Sequence, residues 1–387
     1  MTDKSKENLT EIITSLIHKE GPITFEQFME MALYYPGLGY YTSEREKIGP
    51  GGDFYTSPDV HPIFGKVLAG QFNEMWNHLG QPERWQLVEY GAGKGLMARD
   101  ILSQLGSKHP QCFEALSYYI IEAGPFFIDK QREVLEDAGI PIGKVQWVNN
   151  PACIHAGEGI TGAFLSNELV DAFPFHRVRL RADGLREIYV ETCTEAFVEV
   201  EGPLSDPNLS QYFTEERIML ELGQTAEVNL RSRNWLREIS ENLRRGFILT
   251  IDYGSVAEDL YSEARFNGTM RCFRKHRLVE NPYEAIGVQD ITASVNFSSL
   301  RRWGEQIGLK AAGPFTQAEF LISAGILELA GGRNDFQYDE DSYSTASAVK
   351  KLILPGGMGS VFRVLIQCKG FTDMPPLSGI TKRFSRP

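Results

Sequence analysis

Residues 86–96 read QLVEYGAGKGL, and this stretch decides how the rest of the chain is interpreted. An apolar run ends at Glu89, and glycines follow at the alternate positions 91, 93 and 95. Residues 96–105 then repeat apolar side chains at helical spacing, which predicts a helix. Strand, glycine-rich turn and helix together allow the backbone to approach a bound ligand closely, because glycine has no Cβ and tolerates positive φ.

The spacing of the glycines narrows the class of ligand. A dinucleotide-binding turn has the pattern G-x-G-x-x-G, whose third glycine would fall where this chain has Leu96. No Lys-Ser/Thr pair follows, as a P-loop would require. The pattern E-x-G-x-G-x-G favours a ligand without a pyrophosphate, and an acidic strand end suits a cation. S-adenosylmethionine fits both features, and a glycine-rich turn without a ligand is the alternative.

Length and charge limit the function classes. The chain of 387 residues can hold one large domain with insertions or two domains. Its formal net charge of −12 argues against a nucleic-acid partner, because phosphates would be repelled. The charge is compatible with a cationic substrate, such as a peptide containing arginine or lysine, or it serves solubility alone.

The cysteines and the hydrophobic runs indicate a compartment. Five cysteines are an odd number, and they lie far apart without a C-x-x-C pair. This pattern indicates neither a disulfide framework nor a metal site, and it favours a reducing compartment. No apolar run reaches about 18 residues, so no membrane span is expected. The N-terminus resembles neither a signal nor a transit peptide, and we expect a cytoplasmic protein of a bacterium.

Alternating strands and helices predict a doubly wound, parallel α/β sheet. The strands after the glycine turn are predicted at 118–122, 145–148 and 162–167, with a helix at 127–138 between the first two. Glu122 ends the second strand, where a carboxylate can accept both hydroxyls of a ribose.

The flanking regions divide the chain further. Residues 1–80 are predicted to form an N-terminal helical cap and a cofactor-side loop, with a capping box at Thr24 and Gln27. The core is placed at 81–370, with insertions at about 175–215 and 253–297, and a loosely ordered tail at 371–387. A hairpin is predicted around Asp183-Gly184, a helix at 225–245 and another at 317–329, and an irregular segment at 253–297.

Polar side chains cluster where further strands end. Asn167, Glu168 and Asp171 follow the fourth strand, and Asp252 ends the next core strand. Ligands of open α/β sheets lie outside the carboxyl ends of the strands, so these residues should lie beside the cofactor. A helix N-terminus that favours acids is the alternative, and it explains one carboxylate more easily than the Asn-Glu pair. The loop 52–58, rich in small and hydroxyl residues, offers Thr56 and Ser57 as cofactor contacts, or it is a plain connector.

Several ordered blocks of the chain resemble the MidA-like family, which includes the mitochondrial complex I assembly factor that methylates arginine. The blocks are residues 35–41, 52–58, 88–95, 166–174, 251–254, 268–276 and 287–297. Together with residues 352–368 they span nearly the whole chain. The resemblance implies a class I methyltransferase fold of seven strands with the last antiparallel, and S-adenosylmethionine as cofactor. It implies that Gly91, Gly93 and Gly95 face the cofactor, that Glu122 holds its ribose, and that Asn167 and Glu168 line the reaction site.

The expected reaction is methylation of a protein arginine side chain. A carboxylate that binds the N–H groups of a guanidinium can localise its charge and orient one nitrogen. Glu168 is the catalytic candidate for this role, with Asp171 and Asp252 as further candidates. The expected partner is a protein substrate, and subunits of the respiratory-complex type are one expected class. An assembly or binding factor with weak or no catalysis, and a small-molecule O- or N-methyltransferase, are the alternatives.

Overall fold

The computed structural model of the chain describes residues 8–44, 47, 57–155, 157–194, 196–331 and 340–381. The described residues form two compact units. The accessory unit lies within Met1–Phe54, Asp171–Asn234 and Ser255–Asn296, and the core unit lies within Tyr55–Val170, Trp235–Gly254 and Phe297–Pro387.

The strands found within the described residues are, in chain order, β1 (Ile23–Thr24), β2 (Trp85–Tyr90), β3 (Leu116–Ile121), β4 (Val145–Val148), β5 (Ile160–Asn167), β6 (His176–Arg181), β7 (Gly184–Cys193), β8 (Ala196–Gly202), β9 (Thr225–Val228), β10 (Leu243–Ser255), β11 (Arg271–Arg274), β12 (Arg277–Val279), β13 (Asp290–Thr292), β14 (Val295–Asn296), β15 (Lys310–Thr316) and β16 (Phe362–Lys369).

The α-helices found within the same residues are α1 (Leu9–Glu20), α2 (Phe25–Tyr34), α3 (Ser57–Val60), α4 (Ile63–His78), α5 (Leu96–Lys108), α6 (Pro110–Ala115), α7 (Pro125–Asp137), α8 (Asn208–Glu216), α9 (Leu230–Asn242), α10 (Ala257–Leu260), α11 (Phe297–Gln306), α12 (Gln317–Ser323), α13 (Ile326–Gly331) and α14 (Glu340–Ile353).

The core unit is built on a sheet with the strand order β15-β16-β10-β5-β2-β3-β4. Strands β10, β5, β2, β3 and β4 run parallel to their neighbours, and β16 lies antiparallel between β10 and β15. The winding reverses between β2 and β5, which is where open α/β sheets bind their ligands. This is the seven-stranded class I arrangement with an antiparallel last strand, so the predicted fold is confirmed.

Helices α4 and α5 bury their apolar faces in the same cluster as β2 and β3. Phe64 and Phe72 of α4, Trp85 of β2 and Ile101 of α5 are all fully buried in it. Burial of a large apolar side chain contributes roughly 1.5–3 kcal/mol. The two helices approach closely at Gly65, where an added Cβ would lie 2.5 Å from Cβ of Asp100. This packing holds the start of α5 against the sheet. It also holds residues 91–95, the glycine loop, which lead into that helix.

The accessory unit packs α1 and α2 on a second sheet with the order β1-β7-β6-β9, in which β8 also pairs with β7. The predicted capping box is confirmed: Gln27 N–H donates to Thr24 Oγ1 at 3.1 Å, and Thr24 N–H donates to Gln27 Oε1 at 3.1 Å. The predicted hairpin is confirmed by the antiparallel pairing of β6 with β7.

Three sequence-based assignments are wrong. The predicted helix 225–245 is only α9, because Thr225–Val228 is fully buried as β9 against β6 and Leu243 already begins β10. The segment 253–297 is not simply irregular, since β11, β12 and β13 form a small sheet. Their three or four residues are too few to show an alternating pattern. The helix predicted at 317–329 breaks at Gly325, whose φ is 90°.

The tail that follows β16 contains a packed segment within the core unit. Leu377 is fully buried. Ser378 N–H donates to Glu74 Oε2 at 2.7 Å, and Gly379 N–H donates to Gln71 Oε1 at 3.0 Å. These bonds attach residues 377–379 to α4.

No helix in the described ranges has both the length and the apolar character needed to cross a membrane. Among the same residues, no three His, Cys, Asp or Glu side chains are grouped closely enough to hold a metal ion.

Candidate active site

The parallel strands of the core unit end together at one edge of the sheet. Tyr90 of β2 lies opposite Ile121 of β3 and Ser166 of β5, and Thr250 of β10 also lies opposite Ser166. The residues that follow these positions are most of the predicted site residues: 91–95, Glu122, Asn167, Glu168 and Asp252.

The glycine loop has the backbone that its sequence requires. Gly91, Gly93 and Gly95 have φ values of 64°, 52° and 81°, in the left-handed region that favours glycine. A Cβ at Gly91 would lie 2.9 Å from Cδ1 of Leu169, and one at Gly95 would lie 3.1 Å from Cα of Gln131. Side chains at these positions would therefore be strained and crowded, and the bare backbone is left to face a ligand.

Glu89 is buried beneath this loop. The Tyr118 hydroxyl donates to Glu89 Oε2 at 2.7 Å. The other oxygen, Oε1, is buried and has no partner among the described residues. The pKa of Glu89 is raised to about 7: burial is the main cause, the Tyr118 bond opposes the shift, and the Glu122 carboxylate adds to it. A buried acceptor without a donor indicates a group that a ligand or water completes.

Glu122 is held in place by its surroundings. Gly124 N–H donates to Oε1 at 3.2 Å, and Gln131 Nε2 donates to Oε2 at 3.0 Å. Gln131 was not predicted from the sequence as a site residue. It continues the apolar stripe of Phe127 and Leu135 at intervals of four residues, and a polar residue on such a stripe is the signal that could have identified it.

Glu168 combines backbone strain with a buried carboxylate. Its φ is 53°, which is uncommon for a residue other than glycine and recurs at functional sites. Oε1 accepts from Ser57 N–H at 3.0 Å and from Asn167 Nδ2 at 3.1 Å. Glu168 Oε2 and Asn167 Oδ1 are buried without a partner among the described residues. The pKa of Glu168 is raised to about 8: burial is the main cause, the Ser57 bond opposes the shift, and the Asp252 charge adds to it.

Asp252 is fully buried and makes different contacts. Its Oδ2 accepts from Leu169 N–H at 3.1 Å and from Val170 N–H at 2.8 Å, and its Oδ1 accepts from Tyr253 N–H at 2.9 Å. The carboxylate therefore fastens the turn after β5 to the end of β10.

Of the remaining predicted residues, Ser57 contacts the site directly, because its N–H donates to Glu168 Oε1. Ser57 begins α3, and its hydroxyl donates to Gln317 Oε1 at 3.4 Å. Asp171 belongs to the accessory unit, where it is buried and its carbonyl accepts from Ala293 N–H at 3.1 Å. Thr56 lies outside the described residues, as does most of the loop 52–58.

The site has the chemistry that S-adenosylmethionine requires. The glycine loop presents backbone without side chains at three of its five positions, so a ligand can approach its N–H groups. Buried oxygens of Glu89, Asn167 and Glu168 lack donors among the described residues, and they would suit N–H groups and positive charge. The residues present therefore fit this cofactor.

Known proteins resemble the chain in both sequence and structure. Residues 67–315 match the model of the family described as "Putative S-adenosyl-L-methionine-dependent methyltransferase". The Danio rerio "Protein arginine methyltransferase NDUFAF7, mitochondrial" is 31% identical over 81% of this chain and 76% of its own length. The human protein of that name is 29% identical over 82% and 74%. A Burkholderia thailandensis crystal structure bound to S-adenosyl-homocysteine is 29% identical, has a TM-score of 0.87, and is matched over 96% of this chain and 94% of its own.

The sheet order, the glycine loop and these similarities define a class I methyltransferase that depends on S-adenosylmethionine. Within that class, the chain belongs to the MidA-like family. The predicted cofactor and family are both confirmed.

Proposed function

We propose that the protein transfers a methyl group to an arginine side chain of a protein substrate. The observation that carries this proposal is the pair of buried acceptor atoms, Glu168 Oε2 and Asn167 Oδ1, at the end of β5. Two such acceptors suit a group that presents several N–H donors, as a guanidinium does. The names of the vertebrate relatives give independent support for arginine as the acceptor.

Glu168 has the central role in this proposal. When bound, S-adenosylmethionine supplies a methyl group on a positively charged sulfur. The acceptor nitrogen loses one proton as it gains the methyl group, and Glu168 Oε2 is the carboxylate oxygen available to take it. A carboxylate whose pKa is raised by burial is a stronger base than an exposed one, and an approaching guanidinium would keep it ionised.

Asn167 and Asp252 support this carboxylate. Asn167 Nδ2 donates to Glu168 Oε1, so this bond holds one carboxylate oxygen, and Oε2 is left without a donor among the described residues. Asp252 binds the backbone on the C-terminal side of Glu168, and we assign it a positioning role instead of direct contact with the acceptor. Glu89, Glu122 and the glycine loop are the groups proposed to hold the cofactor.

Glu168→Gln tests the proposal. The variant should lose methylation of proteins in a host extract while its affinity for S-adenosylhomocysteine stays within a few-fold of wild type. Incorporation of radiolabelled methyl groups, followed by hydrolysis and analysis for methylarginine, gives the first readout. Calorimetric titration gives the second. The matched control is Glu133→Gln, an exposed residue of α7 that pairs with Lys130. Full activity of Glu168→Gln would contradict the assigned role.

The same labelling experiment separates the alternative functions. Label in small molecules would indicate a small-molecule methyltransferase. Retained cofactor binding without labelling of any acceptor would indicate an assembly or binding factor. Subunits of respiratory complexes are the first protein substrates to test.

A cytoplasmic location is part of the same proposal. The five cysteines are all free: Cys112, Cys153, Cys193, Cys272 and Cys368. Free thiols, two of them exposed, are compatible with a reducing compartment. Fractionation of host cells tests this location directly.

A further inference from the structure

Gln131 is a polar side chain in an apolar position. It lies on α7 between Phe127 and Leu135, and it is fully buried. A buried amide is costly unless its donors and acceptor are all satisfied. Its surroundings therefore show what the residue is bonded to and what it holds.

Both amide hydrogens and the amide oxygen of Gln131 are used. Nε2 donates to the carbonyl of Gly93 at 2.8 Å and to Glu122 Oε2 at 3.0 Å. Oε1 accepts from the indole Nε1–H of Trp147 at 2.7 Å. The reversed amide would place oxygen against two acceptors and NH₂ against an N–H donor. The network therefore fixes the amide in one orientation.

These bonds connect the parts of the core unit that meet the cofactor. Gly93 lies in the glycine loop, Glu122 ends β3, and Trp147 lies on β4. With Gly124 N–H on the other oxygen, the Glu122 carboxylate is held at both ends. A carboxylate held in this way needs no reorganisation when it accepts hydroxyl groups, which favours binding.

We propose that Gln131 is a positioning residue for the cofactor: its amide holds the Glu122 carboxylate and the Gly93 carbonyl in the arrangement that binds S-adenosylmethionine. The residue acts through these two groups and through the orientation that Trp147 imposes on it. The inference concerns only the cofactor side of the site, so it does not depend on which acceptor the enzyme methylates.

Gln131→Met is the first test, because methionine has a similar length and shape but makes none of the three bonds. We expect the Kd of S-adenosylhomocysteine to rise about tenfold or more in calorimetric titration. The rate at saturating cofactor should change less than threefold. In the cofactor-free variant, the NMR signal of the Trp147 indole N–H should shift and its exchange with solvent should quicken.

Gln71→Met is the matched control. Gln71 is also a buried glutamine of the core unit, but it bonds to Glu74 and to the Gly379 backbone. Its variant should lose stability without losing cofactor affinity. Equal weakening of cofactor binding in both variants, or unchanged affinity in Gln131→Met, would overturn the proposal.

Gln131→Glu provides a test that does not depend on the apolar variant folding well. It keeps the acceptor for Trp147 but places a carboxylate beside Glu122 and the Gly93 carbonyl. The repulsion should weaken binding at pH 8 and be relieved as the pH falls and the pair takes up a proton. A Gln131→Glu variant that binds S-adenosylhomocysteine as wild type does across this range would also overturn the proposal. The double variant Gln131→Glu with Glu122→Gln should lose less affinity for S-adenosylhomocysteine than the sum of the losses in the two single variants.

Discussion

At the scale of single residues, Glu168 shows how a functional position departs from local preference. A left-handed backbone is disfavoured for glutamate, and so is a carboxylate oxygen buried without a donor. Both features persist because Glu168 N–H donates to the Ile251 carbonyl at 2.9 Å and Ser57 N–H holds the side chain. An acceptor with N–H groups would supply the donor that Glu168 Oε2 lacks among the described residues.

This burial predicts a pH-dependent stability. Glu168 has an ordinary pKa of 4.5 when unfolded and a pKa of about 8 when folded. Between these values the folded state holds a proton that the unfolded state has lost, so the free energy of unfolding falls as the pH rises. The loss is complete above about pH 8.

Glu168→Gln removes this titration. Its stability relative to wild type should rise by about 1 kcal/mol or more between about pH 5 and about pH 8. Thermal unfolding of the cofactor-free proteins across that range measures the difference. Glu133→Gln should follow wild type at every pH, and a Glu168→Gln curve parallel to wild type would show that the carboxyl has an ordinary pKa.

Gly91 gives a second prediction at this scale. Gly91→Ala places a methyl group 2.9 Å from Leu169 Cδ1 at a φ of 64°, so the Leu169 side chain must move and the backbone of the loop is strained. Affinity for S-adenosylhomocysteine should fall at least tenfold. Gly143→Ala is the control, because a Cβ there meets nothing within 4 Å. Wild-type affinity in Gly91→Ala would show that the loop does not face the cofactor.

At the scale of elements, the turn after β5 depends on the end of β10. Asp252 supplies oxygens to three backbone N–H groups, so one carboxylate sets where Leu169 and Val170 run. Asp252→Asn replaces one acceptor oxygen with a donor and leaves one N–H without a partner. The expected cost is about 1–3 kcal/mol of stability.

Asp252→Asn also tests the positioning role in catalysis. The turnover number should fall while the affinity for S-adenosylhomocysteine stays within a few-fold, and the pKa of Glu168 should fall because the Asp252 charge that raises it is removed. The exposed Asp137 at the end of α7 offers Asp137→Asn as a control without effect. A turnover number equal to that of wild type would contradict the positioning role of Asp252.

The same scale shows how far sequence reasoning reaches. Elements defined by local signals were predicted well: the alternate glycines of the loop, the capping box at Thr24, and the carboxylates that end β3 and β5. The missed features depend on partners distant in sequence. Thr225–Val228 becomes a strand only because β6 offers it a backbone to pair with, and Gln131 gains its partners only when β3, β4 and the glycine loop meet.

At the scale of the whole molecule, the net charge of −12 should influence which substrates the enzyme meets. An acidic protein attracts cationic peptides, and salt screens this attraction over a Debye length of about 8 Å at physiological ionic strength. The KM of an arginine-rich peptide should therefore rise several-fold between low and high salt. Titration of S-adenosylhomocysteine, which carries no net charge, is the control and should change little. A KM independent of salt would assign the acidity to solubility alone.

The position of β16 has a consequence for synthesis on the ribosome. This strand is translated long after β10, yet it pairs with β10 over eight residues and separates it from β15. Until β16 emerges, β10 lacks the partner that pairs with eight of its residues, and an open edge of mostly buried side chains is a template for aggregation. A nascent chain stalled before Phe362 should consequently recruit chaperones, and release of the β16 segment should end that dependence.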